Sequence, residues 1–198
     1  MPPQRRFADS SLKNFLEALG SSSAAPGGGA AAALAGAAGN ALVEMVVRIN
    51  AQRRPQAGVS QKITRISKRR MEFLSWMQED VEAFEILSRF SRDQRKKPSY
   101  QRALKRCAKA PFKVCELAVA TTEDAVSEFS RTSRWLSSDL KEAGFLLSAA
   151  FDSAHLNVEA NLGLIGDRGF VRSTRKAIAR QKKRLRSAVK KLKRSVKT

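Results

Sequence analysis

Residues 21–50 read SSSAAPGGGAAAALAGAAGNALVEMVVRIN, and this stretch decides the fold. A proline and three glycines, Gly27 to Gly29, stand directly before a run of alanines that has almost no side-chain bulk. Glycine lets a ligand or another segment of backbone approach the chain closely. Behind the glycines, larger apolar side chains recur at helical spacing, which predicts a buried helix in close contact with its neighbours.

The glycine segment, Gly27 to Gly29, has two interpretations. Free backbone N–H groups and the dipole at the start of a helix attract anions, which predicts contact with a ligand. A flexible linker before a buried helix also explains a Gly/Ala-rich run. These residues alone leave both interpretations open.

The composition predicts a single folded domain with an unusual charge. A chain of 198 residues can bury a sizeable core, and 42% apolar residues exclude a disordered chain. The net charge of +20 predicts attraction to polyanions, whether nucleic acid, anionic membrane or an acidic small molecule. The charge carries no information about the fold.

The two cysteines, Cys107 and Cys115, predict reduced thiols. They are eight residues apart in a helical pattern, or about 12 Å along a straight helix, which is too far for a disulfide. A single histidine in the chain excludes a zinc site made of Cys and His. We therefore expect buried thiols in a cytoplasmic protein.

No targeting or membrane segment is predicted. The first residues, MPPQRRFADSS, are basic but lack a following apolar run, so they do not indicate a signal peptide. The Ala-rich helix is nearly long enough to span a bilayer, but Asn40 and Glu44 interrupt it. A buried helix of a soluble protein, with no transmembrane segment, is the better interpretation.

Periodicity predicts an all-α, single-domain bundle of about six helices over residues 1–198, because every periodic window is helical and no strand pattern occurs. Helices are expected over residues 11–20, 60–90 and 100–129. Ser10 or Ser11 would cap the first, Ser60 the second of these, and Ser138 a later helix. Pro111 should kink the helix over 100–129 or split it in two.

Four polar residues lie on otherwise apolar helix faces. Asp80 stands in a stripe of aromatic and aliphatic residues, and a buried unpaired carboxylate is costly. Asp139, Asn157 and Asn161 share one line of alanines and leucines at steps of three and four. We expect these four to form a polar constellation that faces the core. A satisfied interhelical hydrogen-bond network is an equal interpretation of the two asparagines.

Residues 170–198 form a basic amphipathic pattern. Apolar residues recur every seven positions among lysines and arginines, at Val171, Ile178, Leu185 and Leu192. The pattern predicts a C-terminal helix. The favoured interpretation is a helix docked by its apolar stripe with a solvated cationic back, ahead of a nucleic-acid or membrane binder.

The chain resembles the folate-linked cyclodeaminase/cyclohydrolase family in four motifs that occur in family order. These are PGGG with the Ala-rich helix, D-x-x-A-F at 80–84, the Ser-Asp pair at 138–139 and N-x-x-x-N at 157–161. The resemblance implies an all-helical domain, usually a homodimer, that acts on a tetrahydrofolate derivative. Neither family reaction needs a metal or prosthetic group, so no cofactor is expected.

The resemblance also implies roles for residues. Asp80 aligns with the family's catalytic aspartate, and desolvation of a carboxylate suits general acid–base catalysis near neutrality. Gly27, Gly28 and Gly29 would line the folate site. Asp139, Asn157 and Asn161 would orient the substrate or one another.

The expected function is therefore that of a one-carbon folate enzyme, methenyltetrahydrofolate cyclohydrolase or formiminotetrahydrofolate cyclodeaminase. Two departures from the family stand out: Ala30 replaces a serine that usually follows the glycines, and RTSRW at 131–135 replaces a Gly-Asn. The alternative is a catalytically inactive, basic helical protein that binds nucleic acid or anionic surfaces through its C-terminal helix.

Overall fold

The computed structural model describes residues 7–194, which contain six α-helices and no strand. The predicted all-α single domain is confirmed. Val196, part of the predicted basic helix, lies outside the described residues. The helices are α1 (Leu12–Leu19), α2 (Gly28–Arg53), α3 (Val59–Ser88), α4 (Pro98–Phe129), α5 (Arg134–Leu162) and α6 (Arg168–Arg194), with short 3₁₀ turns at Phe7–Asp9 and Arg92–Lys96.

The Ala-rich helix α2 is the centre of the bundle, with α3, α4 and α5 packed around it. Its small residues permit close approach. At Gly36, a Cβ atom would overlap the ring of Phe73, which is completely buried. Helices that meet at such short distances depend on the absence of a side chain, so the alanines and glycines of α2 define how the bundle packs.

Asn40 and Glu44, the two polar residues that interrupt the apolar part of α2, are both hydrogen-bonded. Asn40 is fully buried, donates to the carbonyl of Ile66 at 2.9 Å and accepts from the hydroxyl of Thr121 at 2.9 Å. Burial raises the pKa of Glu44, but hydrogen bonds from Ser67 and two arginines outweigh it and leave that pKa lowered. Although α2 is long and apolar enough to cross a membrane, 61% of its most apolar window is buried inside the bundle.

Of the serines predicted to cap helices, Ser11 does so, whereas Ser60 and Ser138 do not. Ser11 caps α1 as expected, since its hydroxyl accepts a hydrogen bond from a first-turn backbone N–H at 3.2 Å. Ser60 does not cap α3, because Gly58 stands at that position with a left-handed φ of 78°. Ser138 does not cap α5 either, because that helix already begins after Ser133. Serine is tolerated in a first turn, where backbone N–H groups are unpaired, so its presence there does not identify the cap.

Pro111 does not split the helix, since α4 is continuous through this residue, and the alternative of a kink stays a prediction. Proline has no N–H, so the carbonyl of Cys107, four residues earlier, loses its helical donor. That carbonyl accepts a hydrogen bond from the side-chain amide of Asn161 instead, at 3.3 Å. Pro98 occupies the start of α4, where a missing N–H costs nothing.

The basic helix α6 is docked on the bundle by its apolar stripe, which confirms the favoured interpretation of that pattern. Ile178, Leu185 and Leu192 are buried against α4 and α5. Ion pairs reinforce the docking on both sides: Arg184 binds Glu123 of α4, and one further arginine of α6 binds a glutamate of α5. The remaining cations point away from the core.

Candidate functional site

A cavity of about 250 Å³ lies where the start of α2 meets α3, α4 and the end of α5. It brings together residues that are far apart in the sequence. Six of its lining residues carry the argument below: Gly28, Gly29, Asp80, Phe84, Asn157 and Asn161. The cavity also includes Gly27, so the whole glycine segment lines it, as expected of a ligand site rather than of a linker.

Asp80 meets the start of α2 across this cavity. A Cβ atom built on Gly29 would overlap the carboxyl group of Asp80, so only glycine leaves room for this contact. The backbone N–H of Ala30 donates a hydrogen bond to the same carboxylate. The side chain is thus held against bare backbone at a helix N-terminus, where a negative charge is favourable.

The environment of Asp80 raises the pKa of its carboxyl group to about 6. Burial is the larger cause, because it disfavours the charged form, and the hydrogen bond from Ala30 opposes it. At neutral pH most of the protein carries the carboxylate, yet its conjugate acid is easily reached. A group with these properties can accept a proton and return it within one catalytic cycle.

Asn157 and Asn161 lie on successive turns of α5, and both line the cavity. The amide of Asn157 donates to the carbonyl of Ser153 at 2.9 Å and lies against Gly28. The amide of Asn161 donates to the carbonyl of Asn157 at 2.9 Å and to that of Cys107. With their N–H groups engaged by backbone, both side chains have fixed orientations.

Asp139 does not join the other predicted site residues. It lies on α5 eighteen residues before Asn157, which corresponds to about 27 Å along the helix axis. It does not line the cavity. The prediction that these four residues form one constellation is therefore wrong for Asp139. Helical spacing shows which residues share a face of a helix, but it does not bring them to the same position along the helix axis.

Phe84 and Cys107 also line the cavity, and neither was predicted as a site residue. Phe84 follows Asp80 by one turn of α3, on the same apolar stripe, and is 39% exposed. Cys107 is buried and unpaired, and burial together with the Asp80 charge raises the pKa of its thiol to about 11. It is therefore a neutral thiol at neutral pH. Within residues 7–194, no three His, Cys, Asp or Glu side chains cluster as a metal site requires.

The chain matches the protein family described as formiminotransferase-cyclodeaminase over residues 11–180. Its fold is similar to the crystal structure of formiminotetrahydrofolate cyclodeaminase from Thermotoga maritima. The two chains are 25% identical, the TM-score is 0.85, and the match covers 93% of this chain and 94% of that one. No curated protein matches the sequence significantly.

The family match includes every part of the cavity: the glycine segment, Asp80 and the two asparagines of α5. It extends over most of the chain, and the structural similarity extends over nearly all of it. The chain therefore belongs to the formiminotransferase-cyclodeaminase family.

Proposed function

We propose that this protein acts on a tetrahydrofolate that carries a one-carbon unit between N5 and N10, with Asp80 as the general acid–base group. The observation that carries the proposal is the Asp80 carboxyl group, held in the cavity against Gly29 and Ala30 with a pKa near neutrality. The similarity to a solved formiminotetrahydrofolate cyclodeaminase supports the choice of substrate class.

In the cyclodeaminase reaction, N10 attacks the carbon of the protonated formimino group on N5 and forms a tetrahedral carbon that bears an amino group. The Asp80 carboxylate accepts the proton that N10 loses. The resulting acid then protonates the amino group, which leaves as ammonia while the methenyl bridge forms. The carboxylate is regenerated, and its negative charge stabilises the cationic methenyl product.

The cyclohydrolase reaction uses the same group in the same order. Water attacks the methenyl carbon, and the Asp80 carboxylate accepts a proton from it. The acid returns the proton to N5 as the bond between carbon and N5 breaks. The hydroxyl group on the carbon releases its own proton to solvent, which gives the 10-formyl product. Both reactions therefore place the one-carbon unit beside Asp80.

The rest of the cavity fits a pterin ring. Asn157 and Asn161 offer amide groups in fixed orientations for the polar edge of the ring, and the exposed side of Phe84 offers an apolar surface. A cavity of about 250 Å³ is at the small end for a ligand site, so the aminobenzoyl-glutamate part would extend into solvent. The cationic surface attracts its carboxylates.

We also propose a homodimer that uses the outer face of α2. Four apolar residues form a stripe along that face without a charged side chain among them: Ala31, Leu34, Ala38 and Met45. Helix α1 also leaves Leu12 and Leu16 more than half exposed. A second copy of the chain would cover a surface of this kind, since single soluble chains rarely expose contiguous apolar patches.

The decisive experiment is an assay of the purified protein with both substrates. Formiminotetrahydrofolate is tested first, with ammonia release as the readout, followed by methenyltetrahydrofolate with loss of its absorbance. We expect turnover of at least one, and a loss of roughly 100-fold or more in Asp80→Asn, which preserves size but cannot accept the proton. No turnover of either substrate, or full activity in Asp80→Asn, would refute the proposal.

A further inference from the structure

The folate site leaves most of the positive charge unexplained. Helix α6 contains 13 of the 38 lysines and arginines and no acidic residue. It is distant in sequence from the glycine segment and Asp80, and its second half, residues 181–194, lies beyond the family match. The positive charge of residues 181–194 is therefore better explained by a partner other than the folate.

The charge of α6 is concentrated along a groove between α5 and α6. The groove has a volume of about 660 Å³, and five cations line it: Lys182, Arg186, Lys190, Lys193 and Arg194. One carboxylate, that of Asp152, also lines the groove and lies 3.9 Å from Lys182. Within residues 7–194, Arg186 and Lys190 form no ion pair, so both are available to an anionic ligand.

An aromatic ring lies beside these cations. Phe145 of α5 is 55% exposed, and the ammonium group of Lys193 lies 5.2 Å from the centre of its ring. Within α6 itself Phe170 is the one aromatic residue, and the fold adds Phe145 because it places α5 alongside α6. A cationic groove with an exposed ring is the combination that binds single-stranded nucleic acid, through phosphates and base stacking.

The groove fits a nucleic-acid strand better than a membrane. The apolar stripe of α6, including Ile178 and Leu185, is buried within the bundle and cannot enter a bilayer. The groove cations line a concave surface, which a flat bilayer cannot contact but an extended chain can enter. From Lys182 to Arg194 the helix is about 18 Å long, enough for several nucleotides.

We infer that the α5–α6 groove binds single-stranded nucleic acid, with Arg186, Lys190 and Lys193 at phosphates and Phe145 stacked on a base. The inference does not depend on the proposed folate chemistry, because none of these residues lines the cavity around Asp80. Binding is expected to be insensitive to sequence and to weaken steeply with salt.

The test measures fluorescence anisotropy of a labelled 20-nucleotide single strand with the full chain between 50 and 300 mM salt. The groove variant is Arg186→Gln, Lys190→Gln and Lys193→Gln, since glutamine is a good helix former. The matched control is Lys68→Gln, Arg92→Gln and Arg95→Gln, which removes the same charge from exposed positions elsewhere. Circular dichroism confirms that each variant is folded.

We expect the groove variant to reduce the slope of log affinity against log salt by about 2, as three lost phosphate contacts require. The control should leave that slope almost unchanged. Phe145→Ala should weaken binding roughly ten-fold, whereas Leu156→Ala, also exposed on α5, should not. Folate turnover should be unaffected by any of these changes.

Three results would overturn the inference. The groove and control variants could weaken binding equally, which would indicate a diffuse charge effect. A 20-base-pair duplex could bind as tightly as the single strand with no effect of Phe145→Ala, which would exclude stacking. Finally, vesicles of phosphatidylcholine and phosphatidylglycerol could bind while the strand does not, which would indicate a membrane surface.

Discussion

The carboxyl group of Asp80 occupies the space in which a Cβ atom of Gly29 would lie. One residue of α3 and one of α2 are therefore complementary in shape: the acid reaches the backbone only because the glycine has no side chain. The hydrogen bond from Ala30 fixes the same carboxylate. The position of the proposed catalytic group thus depends on Gly29, which has no side chain and takes no part in the proposed reaction.

Gly29→Ala should therefore lower the turnover number while leaving the fold intact. The added methyl group displaces the Asp80 carboxyl group, and a displacement of about 1 Å can cost roughly 100-fold in rate. The measurement is turnover beside a thermal melt. Gly163→Ala is the control, because a Cβ there would make only ordinary contacts at 3.6 Å or more. Equal turnover in the two variants would contradict the proposed role of this contact.

The pH profile should report the Asp80 carboxyl group directly. Since the carboxylate is the active base and its pKa is about 6, kcat/KM should fall ten-fold per pH unit below pH 6 and level off above it. The residual activity of Asp80→Asn should not show this step. A wild-type profile that is flat from pH 5 to pH 8 would show that another group is the base.

Asp80 should also make stability depend on pH. Its folded-state pKa of about 6 lies above the ordinary value of 3.8, so the folded protein binds the extra proton between these values. The stabilisation is present below pH 3.8 and is lost as the pH rises through 6. From pH 4.5 to pH 7.5, the free energy of unfolding of Asp80→Asn should therefore rise by about 2 kcal/mol relative to wild type. Urea unfolding of both proteins at the two pH values measures this change. If the difference in free energy of unfolding between Asp80→Asn and wild type is the same at both pH values, the raised pKa of Asp80 is contradicted.

Pro111→Ala should weaken substrate binding through Asn161. The new backbone N–H can donate to the carbonyl of Cys107, which now accepts the amide of Asn161 at 3.3 Å. We expect KM to rise several-fold with little change in the turnover number, while the helix gains stability. In the background of Asn161→Ala the same substitution should have no further effect on KM. Additive effects of the two substitutions would refute this coupling.

Ala38→Arg should convert the proposed homodimer into a monomer. Ala38 is exposed at the middle of the apolar stripe on α2, where a long cationic side chain cannot pack against a second copy. Light scattering after size-exclusion chromatography gives the mass. Ala179→Arg, on the exposed side of α6, is the matched control and should remain dimeric. A wild-type chain that is already monomeric would exclude this interface.

The sequence predicts most of this fold because helical periodicity is a local signal. Met77 and Ile178 are buried as expected, and Ser11 caps α1. Helix boundaries that depend on backbone geometry were harder to predict from the sequence. Gly58 ends a turn with a left-handed conformation that no serine pattern reveals, and the loss of a hydrogen bond at Pro111 is compensated from another helix.

The candidate site could be predicted in part for the same reason. Periodicity gives the direction in which a side chain points but not its height along the bundle. Asp80, Asn157 and Asn161 line one cavity, whereas Asp139 shares the periodic line of Asn157 and Asn161 but lies far along α5 from them. Phe84 has the pattern of a core residue, and only the packed helices leave it at a cavity.

The docking of α6 has a consequence for how the bundle responds to ionic strength. The buried side of this helix, with Leu185 and Leu192, attaches it to α4 and α5, while its outer side concentrates charges of one sign. These charges repel one another most strongly while the helix is folded, because unfolding lets them move apart. Dilute buffer therefore favours unfolding of the C-terminal helix, and moderate electrolyte, which at 0.1 M screens exposed charges more than about 10 Å apart, favours the folded helix.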